Sequence, residues 1–329
     1  MKPIERRHAL KAMLAACALV SAPGLLHAQD RFPSKPVTLL VPQPAGGGAD
    51  ALSRSLQGEL QKALGQPVIV DNKGGAAGNI GTAAGLAAPA DGYTVTFVNL
   101  STMALNPHLY VKTGYSVADM QPVILLTSVA NIVVVNPDKV PAKTLAEFIE
   151  LARKNPGKYS YATAGNGSGN HLGGEMLKSM AKIDVLHVPY KGGGPALNAL
   201  LGGEVDMAIA DPLATLPHIK AGKLRALAVT SPKRASALPD VPTVAESGLP
   251  GYEATSWAGI VVPKATPAPV VDAVFKAFDK ALKSPDVAAK LSSQLYEPVG
   301  AGPKDFARFA AAENEKWSKL IKQLGVKLD

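Results

Sequence analysis

Cysteine is nearly absent from this chain. The single one, Cys17, lies among the first 28 residues, so the rest can build neither a disulfide framework nor a thiolate metal site. Aromatic residues are scarce, at 5%, and the charges form no dense basic run. A stacking or phosphate-gripping surface is therefore excluded, and no nucleic-acid partner is expected. No apolar stretch after residue 28 approaches the roughly 20 residues of a spanning helix. The histidines after that point are His108, His171, His187 and His218. None has a histidine four residues away or a carboxylate at a familiar ligand spacing, so neither a metal nor a cofactor is expected.

The N-terminus has the layout of an export signal. Lys2, Arg6, Arg7 and Lys11 form a basic start, an apolar run over 12–20 follows, and Leu26-His27-Ala28 offers a cleavage site. Residues 1–28 are expected to be removed, leaving a periplasmic protein. Arg6-Arg7 partly matches a twin-arginine signal, with Ala9 where phenylalanine is more usual; ordinary Sec export is the expected route. Leu14-Ala15-Ala16-Cys17 also has the local pattern of a lipidation site. The apolar run before it is short, and Lys11 interrupts it. Without the four basic residues and one acidic residue of 1–28, the formal charge falls from +8 to +5. That is ordinary for an exported protein.

About 300 residues remain, more than one core usually holds. Strand-like and helix-like segments alternate, which predicts α/β layers with a largely parallel sheet. Strands are expected over 36–41, 67–70 and 93–98, and helices over 49–64 and 80–87. The pattern restarts with a strand over 129–135 and continues to 226–229. A turn-rich stretch, 239–251, precedes a strand at 257–262 and helices at 268–283 and 303–323. Two domains follow from this: 29–128 with 254–329, and 129–253.

One feature recurs four times, a strand followed by a glycine-rich loop and a helix start. The loops are 42–50, 71–79, 164–171 and 189–195. The first turn of a helix has backbone N–H groups without intrahelical partners, and the helix dipole favours an anion there. Glycine lets a ligand approach the backbone. Glycine-rich loops also serve simply as connectors, but four of them, two in each proposed domain, point to an anion held in a cleft. Enzyme signatures fit less well. Gly46-x-Gly48-x-x-Ala51 with Asp71 approximates a dinucleotide fingerprint, but Pro42 and Pro44 replace its tight turn. Gly167-Ser168-Gly169 misses a nucleophile elbow by one residue on each side, and Ser168 and Asn170 suit helix capping. Asp50 is either a first-turn acid or a hydrogen-bond acceptor for the ligand. His171 is either a first-turn residue or a donor. Asp211 follows a strand, at the end where α/β ligands bind. Lys73 and Lys191 read as surface lysines, leaving backbone amides as the main hold on the anion.

These loops carry a resemblance. Residues 42–50, 71–78, 164–172 and 188–196 resemble, in order, the motifs of the Bug family, extracytoplasmic solute receptors of tripartite tricarboxylate transporters. The resemblance covers nearly the whole exported chain. It implies a two-domain type II periplasmic-binding-protein fold with a ligand cleft between the domains, no catalysis, and a small carboxylate delivered to membrane permease subunits by a monomeric receptor. It places ligand contacts on Ala45, Gly46, Gly47, Gly48 and Asp50, and on Ala164, Gly165, Gly167, Ser168, Asn170 and His171. Further contacts fall on Tyr190, Lys191, Gly192 and Gly193, with Ser101 and Thr102 as a further pocket segment. Asp211 joins this set from its position after a strand. The Gly46-Gly47-Gly48 triplet departs from the family, where a hydroxyl residue often precedes the Ala-Asp pair. Two other functions remain open: a periplasmic sensor docking to a signalling partner, and an exported dinucleotide-dependent enzyme.

Overall fold

The computed structural model describes residues 32–329, except 236, 294, 326 and 329 and the side chains of Leu213 and Leu324. The expected export segment, with Cys17, lies outside the described residues. The chain separates into Met1–Ser34 and Lys35–Asp329; the second unit is described below.

It opens with β1 (Val37–Val41), α1 (Gly48–Leu64), β2 (Val68–Asn72), α2 (Asn79–Leu86) and β3 (Thr94–Asn99). A π-helical turn, Ser101–Leu105, runs into α3 (Asn106–Leu109), and β4 (Met120–Val129) follows. The middle holds β5 (Ile132–Val135), α4 (Leu145–Lys154), β6 (Ser160–Thr163) and α5 (Gly169–Ala181). Next come β7 (Leu186–Pro189), α6 (Gly193–Leu201), β8 (Met207–Ala210), α7 (Pro212–Lys220) and β9 (Arg225–Val229). The end comprises β10 (Ser256–Pro263), α8 (Ala268–Leu282), α9 (Pro285–Ser292), β11 (Tyr296–Ala301) and α10 (Pro303–Leu324).

Local sequence explains these elements. In α1, Leu52, Leu56 and Leu60 recur every four residues and are buried, as an amphipathic helix requires. Gly65 then takes a left-handed conformation and ends it. Thr144 caps α4 through the Glu147 N–H.

The strands form two sheets, ordered β11-β4-β10-β3-β1-β2 and β7-β6-β8-β5-β9. The expected largely parallel sheet is instead two mixed sheets. β1 runs parallel to β2 and β3, and β6 parallel to β7 and β8. β10 is antiparallel to β3 and β4, and β5 antiparallel to β8 and β9. The reason lies in the connections. Parallel neighbours here are joined by helical crossovers, but β4 passes directly into the other sheet as β5.

The strand expected over 129–135 is therefore two strands in different sheets, with Ala130 and Asn131 crossing between them. Asn131 ties this crossing to the return one: its N–H donates to Thr230 Oγ1 (3.0 Å) and its Nδ2 to Ser256 Oγ (3.0 Å). One apolar cluster joins Val98 and Leu105 beside the first sheet to Phe148 and Leu177 beside the second, through Tyr252, Ala254 and Trp257. A separate cluster holds the other face of the second sheet, around Ile132, Leu200 and Val229. Among the described residues, no helix is long and apolar enough to cross a membrane.

Candidate ligand-binding site

The glycine loops follow the carboxyl ends of β1, β2, β6 and β7, and the chain packs them against one another. The first loop, 42–47, is tied to its own helix. The Gly46 N–H donates to Asp50 Oδ2 (2.9 Å) and Arg54 Nε to Asp50 Oδ1 (2.8 Å). Burial pushes the Asp50 carboxyl up, but hydrogen bonds from Arg54 and Gly46 and the Arg54 charge outweigh it and hold the group below its ordinary value. Both carboxylate oxygens are thus engaged, and Asp50 shapes the loop. Arg54 extends this network to Asn72 Oδ1, and Asn72 Nδ2 returns to the Gln43 carbonyl. Ala45, Gly46 and Gly47 remain exposed, and Gly47 begins α1 without a side-chain cap.

The second loop supports the first. Gly75, Ala76, Ala77 and Gly78 have φ of 124°, 45°, 53° and 93°, four successive residues in a region that L side chains rarely adopt. Asn106 Nδ2 holds the Ala77 carbonyl at 3.1 Å. A Cβ on Gly78 would sit 2.9 Å from Thr102 Cγ2 and 3.1 Å from the Pro42 carbonyl. Thr102 itself is fully buried, and its backbone N–H donates to Asn99 Oδ1. It braces this corner, while its neighbour Ser101 is half-buried.

The third and fourth loops form a second layer. Gly192 N–H donates to the Ala164 carbonyl (3.1 Å), and Tyr190 N–H to the Thr163 carbonyl (3.0 Å). Gly165 N–H donates to Thr163 Oγ1 (3.3 Å) and Gly167 N–H to His171 Nδ1 (3.1 Å). Ser168 caps α5 through the His171 N–H, and Asn170 Nδ2 donates to the Ile209 carbonyl at the end of β8. Gly192 begins α6 with no side-chain cap, and Lys191 and Gly193 are exposed. A Cβ on Gly192 or Gly193 would meet nothing within 4 Å, whereas one on Gly167 would strike Leu109 and Leu328. Gly167 is thus packed against the first sheet's side of the molecule, and Gly193 faces open space.

Asp211 joins the two halves. Its Oδ2 accepts a hydrogen bond from Tyr296 OH (2.7 Å), and a Cβ on Gly48 would lie 3.1 Å from both groups. The start of α1, the end of β8 and the first residue of β11 therefore meet at one point. Burial, then the Asp211 carboxylate, pushes the Tyr296 hydroxyl well above its ordinary value, so it stays a hydrogen-bond donor. Sequence reasoning missed Tyr296, a lone aromatic in a segment with little strand pattern. Arg54 was missed as well, although its place four residues after Asp50 on one helix was a signal that could have found it. A cavity of about 250 Å³ lies beside the crossing segments, with Ser128, Thr255, Trp257 and Tyr296 in its wall. Among the described residues, none of the glycine loops lines it, and only Tyr296 borders both places.

Beneath the third loop, the His171 and His187 rings stack with centroids 4.1 Å apart. Burial lowers both imidazoles below their ordinary value, His187 to about 4. The folded chain then binds fewer protons than the unfolded chain once pH falls below about 6.5. Stability is expected to decline as pH drops from there toward 4, and a series of urea midpoints across that window checks this. A midpoint that rises or stays level would show that the imidazoles are not held neutral.

The comparisons fit this geometry. The family model for the tripartite tricarboxylate transporter family receptor matches residues 52–326. Protein BugT of Bordetella pertussis is 35% identical over 327 residues, covering 99% of both chains. A solved periplasmic transporter is 40% identical with a TM-score of 0.85, covering 91% of this chain and 100% of its own. An R. palustris protein solved with adipate is 36% identical with a TM-score of 0.85, over 90% of this chain and 99% of its own. MatC of Rhodopseudomonas palustris, solved with malate, is 31% identical with a TM-score of 0.81, over 88% and 100%. The loops, the two mixed sheets and these matches agree: the chain belongs to the Bug family of solute-binding receptors of tripartite tricarboxylate transporters.

Proposed function

We propose that this chain captures a small carboxylate between its two sheets, outside the cytoplasm, and hands it unchanged to permease subunits in the membrane. The observation that carries this reading is the pair of uncapped helix starts, Gly47 on α1 and Gly192 on α6. One belongs to each half of the fold, and a Cβ on Gly46 before the first, or on Gly192 or Gly193 at the second, would meet nothing within 4 Å. Their first-turn amides are unsatisfied by any side chain and suit a carboxylate. Relatives solved with adipate and with malate support the same class of ligand. In this reading Gly46, Gly47, Gly48, Gly192 and Gly193 face the ligand with Ala45, Ser101 and Lys191 at the margin. Asp50, Thr102, Ala164, Gly165, Gly167, Ser168, Asn170, His171 and Tyr190 hold the loops. Asp211 and Tyr296 link the halves.

Residues 29–128 with 254–329 would form one domain and 129–253 the other, closing as a monomer about Asn131 and the return crossing. The cleaved leader would deliver the chain to the periplasm.

A screen of four- to six-carbon mono-, di- and tricarboxylates tests the proposal. At about 100 times its dissociation constant, a ligand should stabilise the fold by roughly 2.7 kcal/mol, a melting-temperature rise on the order of 5–10 °C for a chain of this size. Its methyl ester should give no rise, since esterification removes the charge that the amides attract. An ester that binds as well as the acid, or recovery of a chemically altered ligand, would sink the reading.

A further inference from the structure

The third loop depends on two imidazoles, His171 buried and His187 half-buried. Its amides cannot hold their present directions unless Gly165 and Gly167, with φ of 128° and 74°, keep their acceptors. Gly167 N–H has His171 Nδ1 at 3.1 Å, and Gly165 N–H has Thr163 Oγ1 at 3.3 Å. Thr163 Oγ1 is in turn 2.7 Å from His187 Nε2. Each loop glycine is therefore held by one member of the stacked histidine pair, directly or through one hydroxyl.

An imidazole nitrogen accepts only when it carries no proton. The Gly167 contact therefore fixes His171 as a neutral ring protonated on Nε2. A second proton, on Nδ1, would point at the Gly167 N–H, and two donors cannot share that contact. The rings are too close for both to be charged.

The groups facing the pair come from three elements. Tyr161 of β6 lies against the His187 ring and donates its hydroxyl to Glu175 Oε1 (2.7 Å). Lys178 reaches the same oxygen from α5 (2.8 Å). Tyr252 OH donates to the Gly173 carbonyl (3.0 Å), behind α5. Glu175 is thus already neutralised by Lys178 and offers an imidazolium little compensation, and His171 is only 7% exposed.

From this arrangement we infer that His171 and His187 are positioning residues for the third loop, whose Ala164 carbonyl holds the ligand-facing Gly192 N–H, and that protonation of His171 releases the loop and weakens capture of the carboxylate. The second half of this statement rests on the proposed receptor function; the first does not. An asparagine at 171 would keep an acceptor where Nδ1 stands but could not titrate.

The test has two arms. In the ligand-free protein, nitrogen NMR should find His171 protonated on Nε2. The Gly167 amide should move with the His171 titration midpoint, below about pH 6.5. In His171→Asn the Gly167 amide should no longer titrate. A Gly167 amide indifferent to the imidazole overturns the inference, whatever the ligand proves to be. In the second arm, affinity for the best carboxylate from the screen is measured at about pH 7.5 and pH 5.5, on the two sides of the ordinary histidine value. Wild type should weaken measurably at the lower pH, by less than about tenfold, because burial holds His171 below its ordinary value and only part of it is protonated there. His171→Asn, which keeps an acceptor, should bind more tightly than His171→Ala at the higher pH and lose most of the pH dependence, while His171→Ala should bind, at both pH values, roughly tenfold more weakly than wild type does at the higher one. Equal pH dependence in wild type and His171→Asn refutes the release step and leaves the receptor function standing. Failure of every carboxylate refutes the receptor function, and the amide titration still decides the positioning role.

Discussion

Gly47→Val is expected to weaken carboxylate binding by roughly a hundredfold or more, with the melting temperature of the ligand-free protein lowered by no more than about 4 °C. Gly47 is the N-cap of α1, with φ of −85° and ψ of 174°. That extended geometry suits a β-branched residue. A Cβ there would meet only the Pro44 carbonyl, at 3.6 Å, which is ordinary contact, and the residue is exposed. The fold therefore loses only what a poorer N-cap residue costs, on the order of 1 kcal/mol. The ligand loses more. Two methyl groups at the N-cap would stand where a carboxylate must come to reach the first-turn amides. Losing two charge-assisted hydrogen bonds at roughly 1.5 kcal/mol or more each gives the predicted factor. Calorimetric titration beside a thermal melt reads both quantities. Wild-type affinity in a folded Gly47→Val protein would remove the start of α1 from the site. At Gly167 the same change would be uninformative, since its side chain would run into Leu109 and Leu328 and confuse misfolding with lost binding.

Loops and helices were legible where one residue type has one job. The stripe of Leu52, Leu56 and Leu60 gave α1, and the glycines after β1 and β6 gave the loops. Legibility failed where neighbours in space supply the reason. From Val123 to Val135 nearly every residue is buried, so no polar alternation marks where β4 ends and β5 begins. The break at Ala130 and Asn131 is set by Thr230 and Ser256, far along the chain. Pro212 and Pro217 hid α7, because proline usually argues against a helix interior. In the site, Asp50 and His171 were read as either structural or ligand-facing. The choice depends on Gly46 N–H and Gly167 N–H, main-chain groups that no composition or spacing reveals. Tyr296 lay beyond reach for the same reason: its partner Asp211 is 85 residues away.

Gly81→Ala and Gly58→Ala should act in opposite directions, although both sit inside helices and both make the same chemical change. Gly58 lies on the exposed side of α1, and a Cβ there would meet nothing within 4 Å. Alanine loses less backbone entropy on folding than glycine, so Gly58→Ala should stabilise the protein by roughly 0.5–1 kcal/mol. Gly81 lies in the first turn of α2, where a Cβ would fall inside contact distance of the Lys73 carbonyl oxygen and of Pro42 Cα. Both are backbone atoms and cannot swing aside as a side chain would. The helix would have to move away from the first and second loops together, at a cost of about 3 kcal/mol or more. Pro42 leads directly into the exposed glycines of the first loop, so that shift would also displace the proposed ligand contacts, and Gly81→Ala should lose ligand affinity as well as stability. Urea midpoints for the two variants, with a binding measurement on whichever remains folded, give the result. Equal midpoints would mean that α2 is not held against the loops by the absence of a side chain at position 81. The close approach of helix to loop, rather than the flexibility of glycine, would then have to be abandoned as the reason this residue is glycine.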